Sequence, residues 1–171
     1  MQIAGLDIGG TKCAVLMGQI QEDGELRMIR KEIFTTEAAG QSLETIYGIL
    51  DPWMSTYRPE AIGISCGGPL NSRTGVILNP PNLYGWENVP IVEELQARYG
   101  VPARLENDAN ACAVAEWKFG AAKGAENVIF LTCGTGLGAG IIINGHLISG
   151  TSGMAGEVGH IRLSNYGPAG Y

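Results

Sequence analysis

Residues 6–12 read Leu-Asp-Ile-Gly-Gly-Thr-Lys (LDIGGTK), and the fold turns on what this stretch is. It closes an apolar strand-like run, Gln2 to Asp7, and leads through a glycine turn into a second such run, Lys12 to Leu16. Alone it is a phosphate cradle or a tight hairpin, and the seven residues do not separate the two. A second stretch does. "VIFLTCGTGLGAGIII", residues 128–143, repeats the plan of "IAGLDIGGTKCAVLM", residues 3–17: apolar strand, Asp or Thr, Gly/Thr turn, apolar strand. Aligning Asp7 with Thr132 pairs Gly9 with Gly134. A separation of about 125 residues is too long for a solenoid period, so the echo reads as a duplicated domain whose two turns would face each other across a cleft. Repetition favours the cradle. Backbone N–H groups of Gly9, Gly10 and Gly134 to Gly136, with the hydroxyls of Thr11 and Thr135, would then hydrogen-bond phosphate oxygens.

Two better-known phosphate signatures nearly match and are rejected. Gly5-xxxx-Gly10 is followed by Thr11-Lys12, the reverse of the Lys-Ser/Thr order that sets a lysine on phosphate and a hydroxyl on magnesium. Gly134-Thr-Gly136-Leu-Gly138-Ala139 fits a dinucleotide fingerprint, but that site needs a helix next, and "AGIIIN" reads as a strand.

Around these turns the chain alternates helix and strand. Leu26 to Phe34 supplies a third strand of an opening meander. Leu43, Ile46, Tyr47, Leu50 and Met54 recur at helical spacing, with Pro52 either dividing or kinking that helix. A strand at Glu60 to Ser65 runs into Cys66-Gly67-Gly68-Pro69 and the irregular "LNPPNLYGWENVP". A helix at Ile91 to Tyr99, a strand at Ala103 to Glu106, a helix at Asp108 to Phe119, and strands at Asn127 to Cys133 and Ala139 to Ile143 complete an α/β layered pattern.

Composition narrows the function. With 17 acids against 11 Lys and Arg, a net charge of −6 and no basic run, the chain offers no nucleic-acid or anionic-membrane surface, and a small soluble partner is expected. No apolar run reaches about 18 residues and no leader pattern opens the chain, which points to the cytoplasm. Cys13, Cys66, Cys112 and Cys133 lie singly in apolar stretches and are expected as buried, reduced thiols. The 26 glycines cluster at 4–10, 63–68, 134–140 and 150–159, where the backbone turns hard or approaches something closely.

Two further motifs carry chemistry. In "ENDAN", 106–110, Asp108 stands at a strand-to-helix junction, where it is a helix N-cap or a general base for a hydroxyl proton. The residues leave both open. In "GMAGEVGH", 153–160, Glu157 and His160 stand three apart among glycines. His160 is a satisfied turn residue, or it converges with Glu157 on sugar hydroxyls while the glycines admit a ligand.

Taken in order, "LDIGGTK", "GGPLNSRTGVILNPPNLYGW", "ENDANACAVAE", "TCGTGLGAGIIINGHLISG" and "GMAGEVGHIRL" closely resemble the ROK family of repressors, open reading frames and sugar kinases, within the actin-like ATPase superfamily. The resemblance covers nearly the whole chain. It implies an α/β actin-like ATPase (ribonuclease H-like) fold, with a first domain at 1–118 and the opening of a second at 119–171. It implies a glucokinase-like reaction, transfer of the γ-phosphoryl of ATP to a hexose hydroxyl with Mg²⁺ neutralising the phosphates. By the same resemblance Asp108 is the catalytic base and Asp7 lies near the metal. Asp7, Gly9, Gly10, Thr11, Lys12, Thr132, Gly134, Thr135, Gly136 and Gly138 hold ATP. Gly67, Gly68, Asn82, Asn107, Asp108, Glu157 and His160 bind a hexose or N-acetylhexosamine. A homodimer is implied as well.

Three departures from the family pattern set limits. Many members bind structural zinc through the histidine of the "GEVGH" motif and a Cys-rich run about ten residues on. Here that place is Gly170 and no cysteine follows His160, so zinc is not expected. The chain stops at Tyr171, short of a complete member, and the isolated fragment is expected to turn over little. No winged-helix segment precedes Met1, which weakens the reading as a regulator lacking its DNA-binding segment. A non-catalytic sugar sensor and a chaperone-like ATPase stand as rivals. The first has no need of the phosphate turns, and the second none of the sugar constellation.

Overall fold

The computed structural model describes residues 1–134 and 136–166. It opens on an antiparallel meander of β1 (Gln2–Ile8), β2 (Lys12–Ile20) and β3 (Leu26–Thr35), followed by α1 (Ala39–Tyr57) and β4 (Ala61–Cys66). A small hairpin of β5 (Leu70–Asn71) and β6 (Val76–Ile77) precedes α2 (Ile91–Tyr99), β7 (Ala103–Asn107) and α3 (Asp108–Phe119). Then come β8 (Val128–Cys133), β9 (Leu137–Ile143), β10 (His146–Leu147) and a 3₁₀ turn at Val158–His160.

Two compact units divide the chain, Met1–Asp108 and Ala109–Tyr171. The division falls at the first turn of α3, whereas the sequence-based boundary of 118/119 lies at that helix's other end.

In the first unit the strand order is β3-β2-β1-β4-β7, with β1, β4 and β7 parallel. Strand alternation sends Ala4, Leu6 and Ile8 to one face and Asp7 to the other. The register turns this into cross-strand rows: Met17, Ala4, Ile62 and Ala103 in one, and Val15, Leu6, Ile64 and Leu105 in the next. All eight are buried. Leu43, Ile46, Leu50 and Trp53 of α1 and Ile91 and Leu95 of α2 join the same core cluster. Pro52 lies inside one continuous α1, so it does not divide the helix. A buried stripe on either side of the proline outweighs the single backbone hydrogen bond it removes.

The irregular segment after β6 is pinned rather than loose. Trp86 is fully buried and its indole N–H donates to the Glu37 carbonyl at 3.0 Å, while Leu83 is buried beside it. On the outer surface, Arg98 of α2 clamps Asp51 of α1 at 3.0 and 2.6 Å. That pairing, led by the Arg98 hydrogen bond, lowers the Asp51 carboxyl below its ordinary value.

The second unit is an antiparallel sheet in the order β10-β9-β8. Gly140 lets α3 lie close on β9, because a Cβ there would overlap Ala113 and meet the Ala109 carbonyl oxygen at 2.5 Å. Among the described residues no helix is long and apolar enough to cross a membrane. As a test of the core, Leu50→Ala, at a position with no solvent exposure, is expected to cost about 2–5 kcal/mol. Urea unfolding of the two chains would measure it, and a loss below about 1 kcal/mol would place Leu50 outside the packed core.

Candidate functional site

Parallel strands in register finish together, and the edge where β1, β4 and β7 finish carries most of the first-unit candidates. Asp7 pairs with Ser65, which pairs with Glu106; one step on, Ile8 pairs with Cys66, which pairs with Asn107. Past those positions each strand breaks into Gly9-Gly10, Gly67-Gly68 or Asp108, the first residue of α3. Ligands of open α/β sheets lodge outside such carboxyl ends.

Asp7 and Asp108 are exposed and Asn107 is half-buried. Gly67 and Gly68 lie against the second pair: an added Cβ would sit 4.0 Å from Asp108 Oδ2 at Gly67 and 3.8 Å from Asn107 Nδ2 at Gly68. Asn82 belongs to the same group through the other turn, because a Cβ on Gly10 would meet its carbonyl oxygen at 2.7 Å. Asp7, Gly9, Gly10, Thr11, Lys12, Gly67, Gly68, Asn82, Asn107 and Asp108 therefore all belong to the first unit.

Charge at this edge is felt by the buried Cys66. Burial first, then the Asp108 and Asp7 carboxylates, push its thiol up to about 12. Cys13 is also raised, mainly by burial. The expectation of four buried thiols holds for Cys13 and Cys66 but not for Cys112 and Cys133, which are exposed. Those two occupy α3 and the last residue of β8, whose outward faces are solvated in this chain.

The repeated hairpins share more than composition. Gly9 N–H donates to the Lys12 carbonyl at 3.1 Å, and Gly134 N–H donates to the Gly136 carbonyl at 2.9 Å. Both amides close their own turns in this structure. The turns also differ in length. Ile8 pairs with Cys13 across residues 9–12, whereas Cys133 pairs with Leu137 across residues 134–136. A strand follows each turn, which disposes of the Walker and dinucleotide signatures on structural grounds. Thr135, expected to offer a hydroxyl, lies outside the described residues, as does Gly170, where the family's zinc run would begin.

The second unit holds Thr132, Gly134, Gly136, Gly138, Glu157 and His160. Thr132 pairs with Gly138 across the hairpin. Glu157 Oε2 and His160 Nε2 stand 3.9 Å apart across the 3₁₀ turn, both exposed. The glycines beside them have a use within the chain itself. Ala139 N–H donates to the Gly156 carbonyl at 2.8 Å. A Cβ on Gly156, whose φ is 95°, would overlap the Ala139 carbonyl oxygen, and one on Gly159 would reach the Leu137 carbonyl oxygen at 2.5 Å. These two glycines admit the chain's own β9. Among the described residues no group of three His, Cys, Asp or Glu side chains could hold a metal ion.

Sequence reading missed Ser65 and Glu106, which share a row with Asp7. Period-two alternation back from Asp108 would have found Glu106; nothing local marks Ser65. It also missed Thr36, whose hydroxyl donates to the Gly9 carbonyl at 2.5 Å.

With this geometry in view, comparison with known proteins is direct. The ROK family model matches residues 3–171, and the chain belongs to the ROK family. The glucokinase of Streptomyces coelicolor is 40% identical over 159 residues, which is 93% of this chain and 49% of that protein. The crystal structure of a ROK family glucokinase from Streptomyces griseus, in complex with glucose and AMPPNP, is 36% identical with a TM-score of 0.80, covering 96% of this chain and 51% of that one. The xylose repressor of Bacillus subtilis is 39% identical over 114 residues, 67% of this chain and 29% of that protein. The fold is the actin-like ATPase fold of the ROK sugar kinases, and the chain spans about half the length of the curated relatives it matches.

Burial and charge make a thiol prediction. Since the folded value of Cys66 stands above its ordinary 9.0, neutral-thiol burial favours the native state fully below that pH and fades as the pH rises through about 12. A thiol reagent at about pH 8 should titrate two cysteines of the 171-residue chain when folded and all four when unfolded. A third rapidly reacting thiol in the folded chain would contradict the burial of the strand-end row.

Proposed function

We propose that the protein is an ATP-dependent sugar kinase, glucokinase-like, with a hexose or N-acetylhexosamine as acceptor and glucose the first substrate to try. The observation that supports it most is the strand-end edge that gathers Asp7, Gly67, Gly68, Asn107 and Asp108. The likeness to ROK glucokinases, one of them bound to glucose and AMPPNP, supports the choice of ligands.

Roles follow from chemistry. Asp108 is an exposed carboxylate at the start of α3, beside Gly67, whose missing side chain leaves room for a hydroxyl-bearing ligand. It accepts the proton of the sugar hydroxyl as that oxygen attacks the γ-phosphorus and the bond to the β–γ bridging oxygen breaks, releasing ADP. Asn107 and Asn82, each with an amide able to donate and accept, orient neighbouring hydroxyls, as do Glu157 and His160. Gly9, Gly10, Thr11 and Lys12 in the first turn, and Thr132, Gly134, Thr135, Gly136 and Gly138 around the second, hold phosphate oxygens.

Asp7 near the end of β1 and Thr11 in the turn that follows are exposed and carry hard oxygens, the donor type that suits Mg²⁺. When bound, Mg²⁺ supplies charge neutralisation on the phosphates. Its presence beside Asp7, the cytoplasmic location, the homodimer and the 118/119 division belong to the same reading and rest on the family resemblance. A sugar-sensing regulator without catalysis is the second reading, favoured by the likeness to a xylose repressor. Intact residues in both phosphate turns count against it.

In the complete protein, Asp108→Asn is expected to lower kcat by about 10²–10⁴-fold. Its sugar affinity by calorimetry should stay within a few-fold of the parent, because the amide still bonds a hydroxyl. Near-normal turnover in that variant would remove Asp108 as the base. Failure of the parent to bind any hexose would remove the sugar-kinase reading itself.

A further inference from the structure

The three-residue connection between β3 and α1, Thr36 to Ala38, touches both the first phosphate turn and the loop that carries Asn82. Toward the turn, Thr36 N–H donates to the Thr11 carbonyl at 3.1 Å, and the Thr36 hydroxyl donates to the Gly9 carbonyl at 2.5 Å. The buried Cys13 sulfur backs that hydroxyl at 3.3 Å. Toward the loop, the Glu37 carbonyl accepts the Trp86 indole N–H at 3.0 Å. Ala38 lies under Gly85, where a Cβ would come within 3.2 Å of the Ala38 methyl.

The connection is itself anchored. Glu37 N–H donates to Ser42 Oγ at 2.9 Å, and that hydroxyl donates back to the Glu37 carbonyl at 3.1 Å. Turn and loop also meet directly, since a Cβ on Gly10 would stand 2.7 Å from the Asn82 carbonyl oxygen and 2.8 Å from its Cβ. A side chain at position 10 would therefore have to displace Asn82, and glycine is what lets turn and loop lie this close. The Gly9 carbonyl, one residue away, is held by Thr36 alone among the side-chain hydrogen bonds described.

We infer that Thr36 is a positioning residue that locks the first phosphate turn to the Asn82 loop, so that the two move as one piece and nucleotide and sugar binding are coupled. Ligand contacts at the turn and at Asn82 rest on the sugar-kinase reading; the mechanical link does not. Coupling of this kind is reciprocal, so a nucleotide that orders the turn tightens sugar binding by the same factor as the sugar tightens nucleotide binding.

The test compares Thr36→Val, which keeps the shape and loses the hydroxyl, with Thr36→Ser, which keeps the hydroxyl, in the complete protein. One arm follows hydrogen exchange at the loop amides of Leu83, Asn88 and Val89, which donate to Pro80, Leu78 and Ile77 carbonyls. The other measures glucose affinity by calorimetry with and without AMPPNP. In Thr36→Val, loop exchange is expected to quicken about tenfold while Leu105 in β7 stays protected. The AMPPNP-dependent gain in glucose affinity is expected to fall towards none, and Thr36→Ser should restore both behaviours. Unchanged loop exchange in Thr36→Val, equal effects of Val and Ser, or faster exchange throughout the core would overturn the inference. If the unsubstituted protein binds no hexose, the sugar-kinase reading fails, and the exchange arm still decides the link.

Discussion

The parallel pairing of β1, β4 and β7 is the constraint on which the candidate site depends. Because Ile8, Cys66 and Asn107 stand in one row, three chain segments leave the sheet at one edge and must turn there together. Two of them turn through paired glycines and the third enters α3 at Asp108. Beneath them two fully apolar rows and the buried thiol of Cys66 form a floor with no room to shift. Exposed carboxylates thus stand on packed elements, Asp7 on β1 and Asp108 at the start of α3, as a site that must hold reacting groups within fractions of an ångström requires.

Much of this was legible before any coordinates, and the reasons differ from element to element. The helix at 108–119 announced itself by an acid at its start, an alanine-rich body and a glycine after it. The strands around both turns were legible because their apolar runs are bounded by glycine on the inner side. Candidate site residues held in the five motifs stand out only through their order along the chain, since Asp108 alone reads equally well as a cap. Ser65 was not legible, because register is a relation between strands and no single strand carries it. Thr36 was hidden for a related reason: it acts on Gly9, distant in sequence, through one hydroxyl.

Glycine shows how a location read from the sequence can have its cause within the chain itself. The clusters at 134–140 and 150–159 do mark close approaches, yet Gly140, Gly156 and Gly159 make room for the chain's own α3 and β9. The same holds for the echoed hairpins. Their shared logic extends to a closing hydrogen bond from the first glycine of each turn, made by the amide that the repeated pattern assigns to phosphate. A turn must satisfy its own backbone before it can serve a ligand.

The account's central claim is that the strand-end edge serves phosphoryl transfer to a sugar. It is tested most directly by incubating the complete protein with ATP, Mg²⁺ and a panel of hexoses and N-acetylhexosamines and following the products by phosphorus NMR. A sugar phosphate formed in step with ADP, from one or a few members of the panel, is the predicted result. Inorganic phosphate released at the same rate with or without sugar, or sugar binding with no consumption of ATP, would contradict it.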